Sequence, residues 1–249
     1  QTLKDRASAP EGDLEIVPLT PCIGAEVRGV KLSTLSEVAK KQIYRAWLQH
    51  KVLFFRGQAD MTVAQHENFA TVFGEPTAPP TIPVLEGSRF VLELDSRRGG
   101  RADQWHTDAT FTERPDKATV LRSVIVPEAL GDTLWANTAA AYESLPEPLK
   151  RFAESLWVQH SNDRDHTTPP TDKNSQLSQL RTKILRVEHP AVHVHPETGE
   201  RALLLGYAAQ RLIGFPKHES STFFNILEDY VARHDHVVVD LQQPGGFQR

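Results

Sequence analysis

In the stretch Trp-His-Thr-Asp-Ala-Thr-Phe, Trp105 to Phe111, a histidine and an aspartate stand two residues apart, His106 and Asp108. If the stretch is extended, residues i and i+2 point to one face, so the two side chains converge while Thr107 turns away. An imidazole and a carboxylate that meet with open coordination positions supply two ligands of a mononuclear 2-His-1-carboxylate iron site, which leaves room for a cosubstrate and dioxygen. The same pair suits a zinc hydrolase, although no nearby glutamate on that face offers a general base. A bare H-x-D also arises where a histidine ends a strand and an aspartate makes a local turn. Trp105 reads as packing.

The elements that must position this pair follow from periodicity. "LEIVPLT" and "GAEVRGV" read as short strands, and "SEVAKKQIYRAWLQH" as an amphipathic helix with Ala39, Ile43, Ala46 and Trp47 on one side. "KVLFFRGQ" predicts a buried strand, and Thr62 with Gln65 predicts a capping box that opens a helix through Phe69 and Phe73. The prolines of "FGEPTAPPTIP" forbid helix or central strand. From Phe90 onward "RFVLELDS", "QWHTDATF", "ATVLRSVIVP" and "GDTLWANT" read as strands. Helical spacing returns at Leu145, Leu149, Phe152 and Leu156. "EHPAVHVHP", "ETGE" and "RALLLG" predict a hairpin, and "HESSTFFNILEDYVARH" a final helix with Phe223, Leu227 and Val231 on one side. The order is α+β, because regular βα alternation is missing. Residues 1–13 read as a loose tail and 14–249 as a single domain whose C-terminal part is incomplete.

Composition narrows the partners. A formal charge of −4 over 249 residues gives no broad positive field for nucleic acid, and the apolar runs fall far short of the ~20 residues that span a bilayer. A small molecule is the expected partner, with no nucleic acid and no membrane. A single cysteine, Cys22, and the lack of a visible secretory signal point to a cytoplasmic setting.

"WHTDATF", then Thr133 in "GDTLWANTAAAYESLP", then "HPAVHVHPETGERALLLG", occurring in that order, resemble the taurine and alkylsulfate dioxygenase family of Fe(II)- and 2-oxoglutarate-dependent oxygenases. "IGAEVRGVKLS" and "KVLFFRGQ" resemble that family's opening strands, so the resemblance runs from about Ile16 to Val231. It implies a double-stranded β-helix (jelly-roll) core with flanking helices. It also implies that His106 and Asp108 bind iron, and that the Thr133 hydroxyl helps hold a carboxylate of 2-oxoglutarate. The implied chemistry uses Fe(II), 2-oxoglutarate and O2 to hydroxylate a substrate C–H bond, with succinate and CO2 as coproducts. Family members are commonly dimers or tetramers, so a homo-oligomer is expected.

The family's third ligand sits in a C-terminal "W-D-N-R" strand followed by a histidine, with arginines beyond it. Here the chain runs "ARHDHVVVDLQQPGGFQR". His236, Asp240 and Arg249 are the nearest match, which makes His236 the candidate third ligand and Arg249 the candidate partner of the distal 2-oxoglutarate carboxylate, a role its planar fork suits. His189, His193 and His195 lie in a strand that the family uses as scaffold. His160 and His166 read as loop residues, and His50 and His66 as surface or cap residues. The polar run Ser161 to Gln176 is the candidate substrate lid.

For the substrate, the loop "PTAPPTIPV" lacks the histidine of taurine-specific enzymes, and Ala102 replaces their asparagine. Taurine is therefore disfavoured. "GDTLWANTAAAYESLPEPLK" and "HPETGERALLLG" resemble the alkylsulfatase branch, so a small organic anion, an alkyl sulfate, is the expected substrate. The alternatives are the same chemistry on an aryloxyalkanoate or specialised-metabolite acid, and a non-catalytic metal- or ligand-binding protein of the same fold.

Overall fold

The computed structural model describes residues 14–95, 102–126, 131–166, 183–240 and 247–248. The tail 1–13, Arg249, and the part of the candidate lid beyond His166 lie outside them. The chain divides into two compact units, one formed by 1–73, 120–135 and 238–249, the other by 74–119 and 136–237.

In the first unit, β1 (Glu15–Pro18) pairs antiparallel with β2 (Ala25–Arg28), and β2 pairs parallel with β3 (Leu53–Phe54). A parallel pair needs a crossover, and helix α1 (Glu37–His50) supplies it. The Ser36 side chain caps its start by accepting the Ala39 N–H, and Ile43, Ala46 and Trp47 form its buried stripe. The expected capping box is present: Thr62 and Gln65 satisfy each other's backbone N–H groups and open α2 (Val63–Ala70). Phe69 and Phe73 from this region pack edge-on, 5.5 Å apart, in the buried core. Strand β4 (Leu121–Arg122) pairs with β12 (Phe247–Gln248). Strand β5 (Thr133–Ala136) pairs with β11 (Val237–Asp240).

The second unit is built around an antiparallel sheet in the order β10 (Ala209–Leu212), β6 (Trp157–Ser161), β7 (Arg186–Pro190). The predicted hairpin forms as β8 (Val192–Val194) and β9 (Arg201–Leu203). Helices α3 (Thr138–Glu143), α4 (Glu147–Glu154) and α5 (Lys217–Val231) cover a core that includes Leu145, Leu156, Val158, Leu212, Phe224 and Leu227. On α5 the buried stripe is Ser220, Phe224, Leu227 and Val231, spaced at helical intervals. Phe223 is partly buried and meets the Phe152 ring at 4.8 Å.

Among the described residues two expected strands do not form. "RFVLELDS" as far as Asp95 and "QWHTDATF" run without a ladder partner there, and Leu94 is 60% exposed. β-branched and aromatic residues alone do not make a strand when no neighbour completes its hydrogen bonds. Among the described residues the sheets hold two or three strands each and none closes into a barrel. Among those residues no helix is long and apolar enough to cross a membrane.

Candidate active site

His106 and Asp108 owe their placement to the backbone around them. The Tyr207 N–H donates to the Trp105 carbonyl at 2.8 Å, tying the irregular segment to the connection between β9 and β10. Gly206 makes this approach possible. Its φ is +100°, and a Cβ there would lie 2.7 Å from the Trp105 oxygen and 3.0 Å from the His106 Cα. No side chain fits between the two backbones. After His106 the chain turns over Asp108 to Phe111, with Ala109 at φ +54°. The pair thus converges through a loop and a turn, not through the pleat of a strand.

The His106 Nδ1 lies 2.8 Å from the Gln104 carbonyl oxygen. A carbonyl only accepts, so Nδ1 carries a hydrogen and Nε2 is left to face the carboxylate. Nε2 sits 3.4 Å from Asp108 Oδ1, while Oδ2 accepts the Thr119 hydroxyl at 2.9 Å. Protonation of Nε2 strengthens this contact, because the ring then donates to the carboxylate. The bond to Asp108 raises the pKa of His106 against the opposing effect of burial, with help from the Gln104 carbonyl. Asp108 is held below the usual carboxylate range, first by His106 and also by Thr119, again against burial.

The donor set fits a metal ion. Nε2 and Oδ1, 3.4 Å apart, are close enough for one ion to take both. Both side chains are about half exposed, at 42% and 50%, so they can be reached from solvent. Held by Gln104 and Thr119, both groups are oriented before any ion arrives.

The other candidates are placed differently. Thr133 opens β5 and is half-buried. His236 is buried in a 3-10 turn after α5, with its Nδ1 2.7 Å from the Tyr230 carbonyl and its own carbonyl accepting the Asn137 N–H. Among the described residues no group of three or more His, Cys, Asp or Glu side chains is arranged to hold a metal ion. Asp240 lies on β11, and Arg249 lies outside the described residues. His195 accepts the Glu197 and Thr198 N–H groups at 3.3 and 3.2 Å and closes the turn of the β8–β9 hairpin.

His160 and His66 depart from expectation. His160 is fully buried on β6, since the strand begins before the polar run and carries its first residues inward. His66 is 9% exposed and its Nε2 meets the Val120 carbonyl at 3.0 Å. Thr119 and Gly206 also shape this segment without having been singled out for it. Thr119 carries a weak signal, being a hydroxyl residue that opens the next apolar run. Gly206 is marked by its place directly after "ALLL".

Comparison with known proteins places the whole chain. The model of the family described as "Taurine catabolism dioxygenase TauD, TfdA family" matches residues 15–246. The chain is 44% identical to an alpha-ketoglutarate-dependent sulfate ester dioxygenase of Pseudomonas putida, over 93% of this chain and 79% of that one. It is 46% identical to an alkylsulfatase of Acinetobacter baylyi, over 92% of this chain and 74% of that one. The crystal structure of a taurine dioxygenase from Burkholderia xenovorans superposes with a TM-score of 0.75 at 34% identity, covering 94% of this chain and 78% of that one. A family match over nearly the whole sequence and relatives at 44% and 46% identity lead to one conclusion: the chain belongs to the TauD/TfdA family of dioxygenases, oxidoreductases that depend on Fe(II), 2-oxoglutarate and O2.

Proposed function

We propose that this protein hydroxylates the carbon that bears the sulfate of an alkyl sulfate. The observation that carries the reading is that the relatives at 44% and 46% identity are a sulfate ester dioxygenase and an alkylsulfatase. The family match takes in both compact units, which supports reading 14–249 as one dioxygenase domain. Similarity to the solved taurine dioxygenase supports a jelly-roll core for the complete fold.

In this reading His106 and Asp108 hold the iron. Nε2 is presented because the Gln104 carbonyl fixes the tautomer, and Oδ1 because Thr119 occupies Oδ2. Thr133 and Arg249 are assigned to 2-oxoglutarate, the hydroxyl to one carboxylate and the guanidinium to the distal one. His236 is retained as the third position to be tested. Iron and 2-oxoglutarate supply the oxidation, in which O2 is consumed, 2-oxoglutarate becomes succinate and CO2, and one oxygen atom enters the substrate C–H bond. The product carries hydroxyl and sulfate on one carbon. It collapses by losing the hydroxyl proton and the sulfate, giving an aldehyde and inorganic sulfate. The protein's share is to keep the substrate carbon near the metal and the competing reactions out. The proposal also includes a cytoplasmic homo-oligomer, dimer or tetramer, with a single cysteine, Cys22, suited to a reducing compartment.

The test is a panel of alkyl sulfates, aryloxyalkanoates and taurine, followed by succinate and inorganic sulfate released in equal amounts. An alkyl sulfate is expected to give both products, and Asp108→Ala to lower the rate at least about 100-fold. Equal succinate formation in a His106→Ala/Asp108→Ala double variant overturns the assignment of the pair. Turnover of aryloxyalkanoates alone overturns the substrate.

A further inference from the structure

We propose that His189 and His160 are positioning residues for Asp108, acting through the turn that begins at it. The inference rests on the reading that Asp108 binds iron. Ala109 follows Asp108 directly and holds φ at +54°. An L-residue with a Cβ loses roughly 1 kcal/mol or more in this region, and such a conformation persists only where the surroundings fix it.

Two histidines fix it here. His189 Nε2 lies 3.0 Å from the Thr110 carbonyl and 3.0 Å from the Thr112 carbonyl. Both oxygens only accept, so Nε2 bears the hydrogen and one N–H bridges two carbonyls of the same turn. That requires the turn to bring both oxygens to one point. Thr112 closes it from the other side, its N–H and hydroxyl both donating to the Ala109 carbonyl at 2.9 and 2.7 Å. His160 adds a third hold: its Nδ1 lies 3.0 Å from the hydroxyl of Thr110, which is 1% exposed.

The sheet explains why these two rings meet. In the β6–β7 ladder His189 stands opposite Val158, and Val158 and His160 share a face of β6. Both imidazoles therefore project from one face of the sheet, with ring centroids 5.3 Å apart and planes at 73°. Among the described residues His160 Nε2 is buried without a hydrogen-bond partner. A leucine there would avoid an unpaired polar atom, but it would not reach Thr110 with a polar one. Releasing Ala109 to an ordinary backbone angle would turn the Asp108 carboxylate away from His106.

The experiment is an anaerobic titration with Fe(II) and 2-oxoglutarate, read by the metal-to-ligand charge-transfer band, beside the thermal midpoint of the metal-free protein. Wild type, Asp108→Ala, His189→Leu and His189→Gln are compared. His189→Leu is expected to weaken Fe(II) affinity about 10- to 100-fold. His189→Gln, whose amide N–H can reach the same carbonyls, is expected to restore most of it. If His189→Leu lowers the midpoint but binds Fe(II) with wild-type affinity, the histidine only supports the fold and the proposal fails. Should His189→Leu not fold, Thr110→Val removes only the hydroxyl at His160, and wild-type affinity in that variant overturns the proposal. Absence of Fe(II) binding by the wild type overturns the iron reading itself, a distinct result.

Discussion

The β6–β7 sheet and the segment from Gln104 to Thr112 differ in almost every respect. The sheet carries regular pairing over five residues of each strand and buries His160 completely. The segment forms no ladder, leaves His106 and Asp108 half exposed, and includes a left-handed alanine. Yet the segment holds the two proposed donor groups, His106 and Asp108, and the sheet holds neither. The difference teaches that the ligand geometry here is borrowed. Gly206, His189 and Thr119 impose it from outside, whereas a strand would have supplied it from its own pleat.

Three changes probe that division. The largest effect is expected from Gly206→Ala, which sets a methyl against the Trp105 carbonyl at a backbone angle unfavourable to any L-residue. The loss is about 2–4 kcal/mol, a fall in Tm on the order of 5–15 °C, together with loss of Fe(II) binding. An unchanged Tm would show that the two backbones part easily.

The next probe addresses the sheet. Burial, with a smaller contribution from neighbouring His189, pushes His160 down to about 4. Its ordinary value near 6.5 applies in the unfolded chain, so the unfolded state binds more protons between these limits. Stability from this residue is complete above about pH 6.5 and is lost as pH falls toward 4, by about 3 kcal/mol. Denaturant unfolding from pH 7 to 4 measures this, and His160→Gln should flatten the slope.

The smallest effect is expected from Thr119→Val, which frees Asp108 Oδ2 but leaves both ligands in place. Fe(II) affinity should fall about tenfold with little change in Tm. Equal affinity would mean that the turn alone orients the carboxylate.

Much of the scaffold was readable before any coordinates. Ser36, the stripe of α1 and the Thr62–Gln65 box each act locally, within a turn or two of helix, and each forms as expected. The H-x-D pair was equally legible as chemistry, and its two side chains do meet. Its conformation was not, because alternating apolar residues around Trp105 resemble a strand whether or not a partner strand exists. His160 misled for a related reason: "HSNDRDH" reads as polar loop, and only pairing with both β7 and β10 carries its first residues into the core. Thr119 and Gly206 act across long stretches of sequence through single atoms, which leaves no periodic trace. The burial of His236 against the Tyr230 carbonyl was not legible either, because the resemblance offered only a loose match for it.

The half exposure of the two donor groups bears on which ion the protein carries in a cell. A nitrogen and an oxygen donor open to solvent impose little geometric choice, and divalent copper and zinc bind such ligands more tightly than ferrous iron does. Discrimination then falls to the relative abundance of free ions when the chain is loaded. Purified material is expected to contain a mixture of metals that reflects its growth medium, with activity tracking the iron fraction alone.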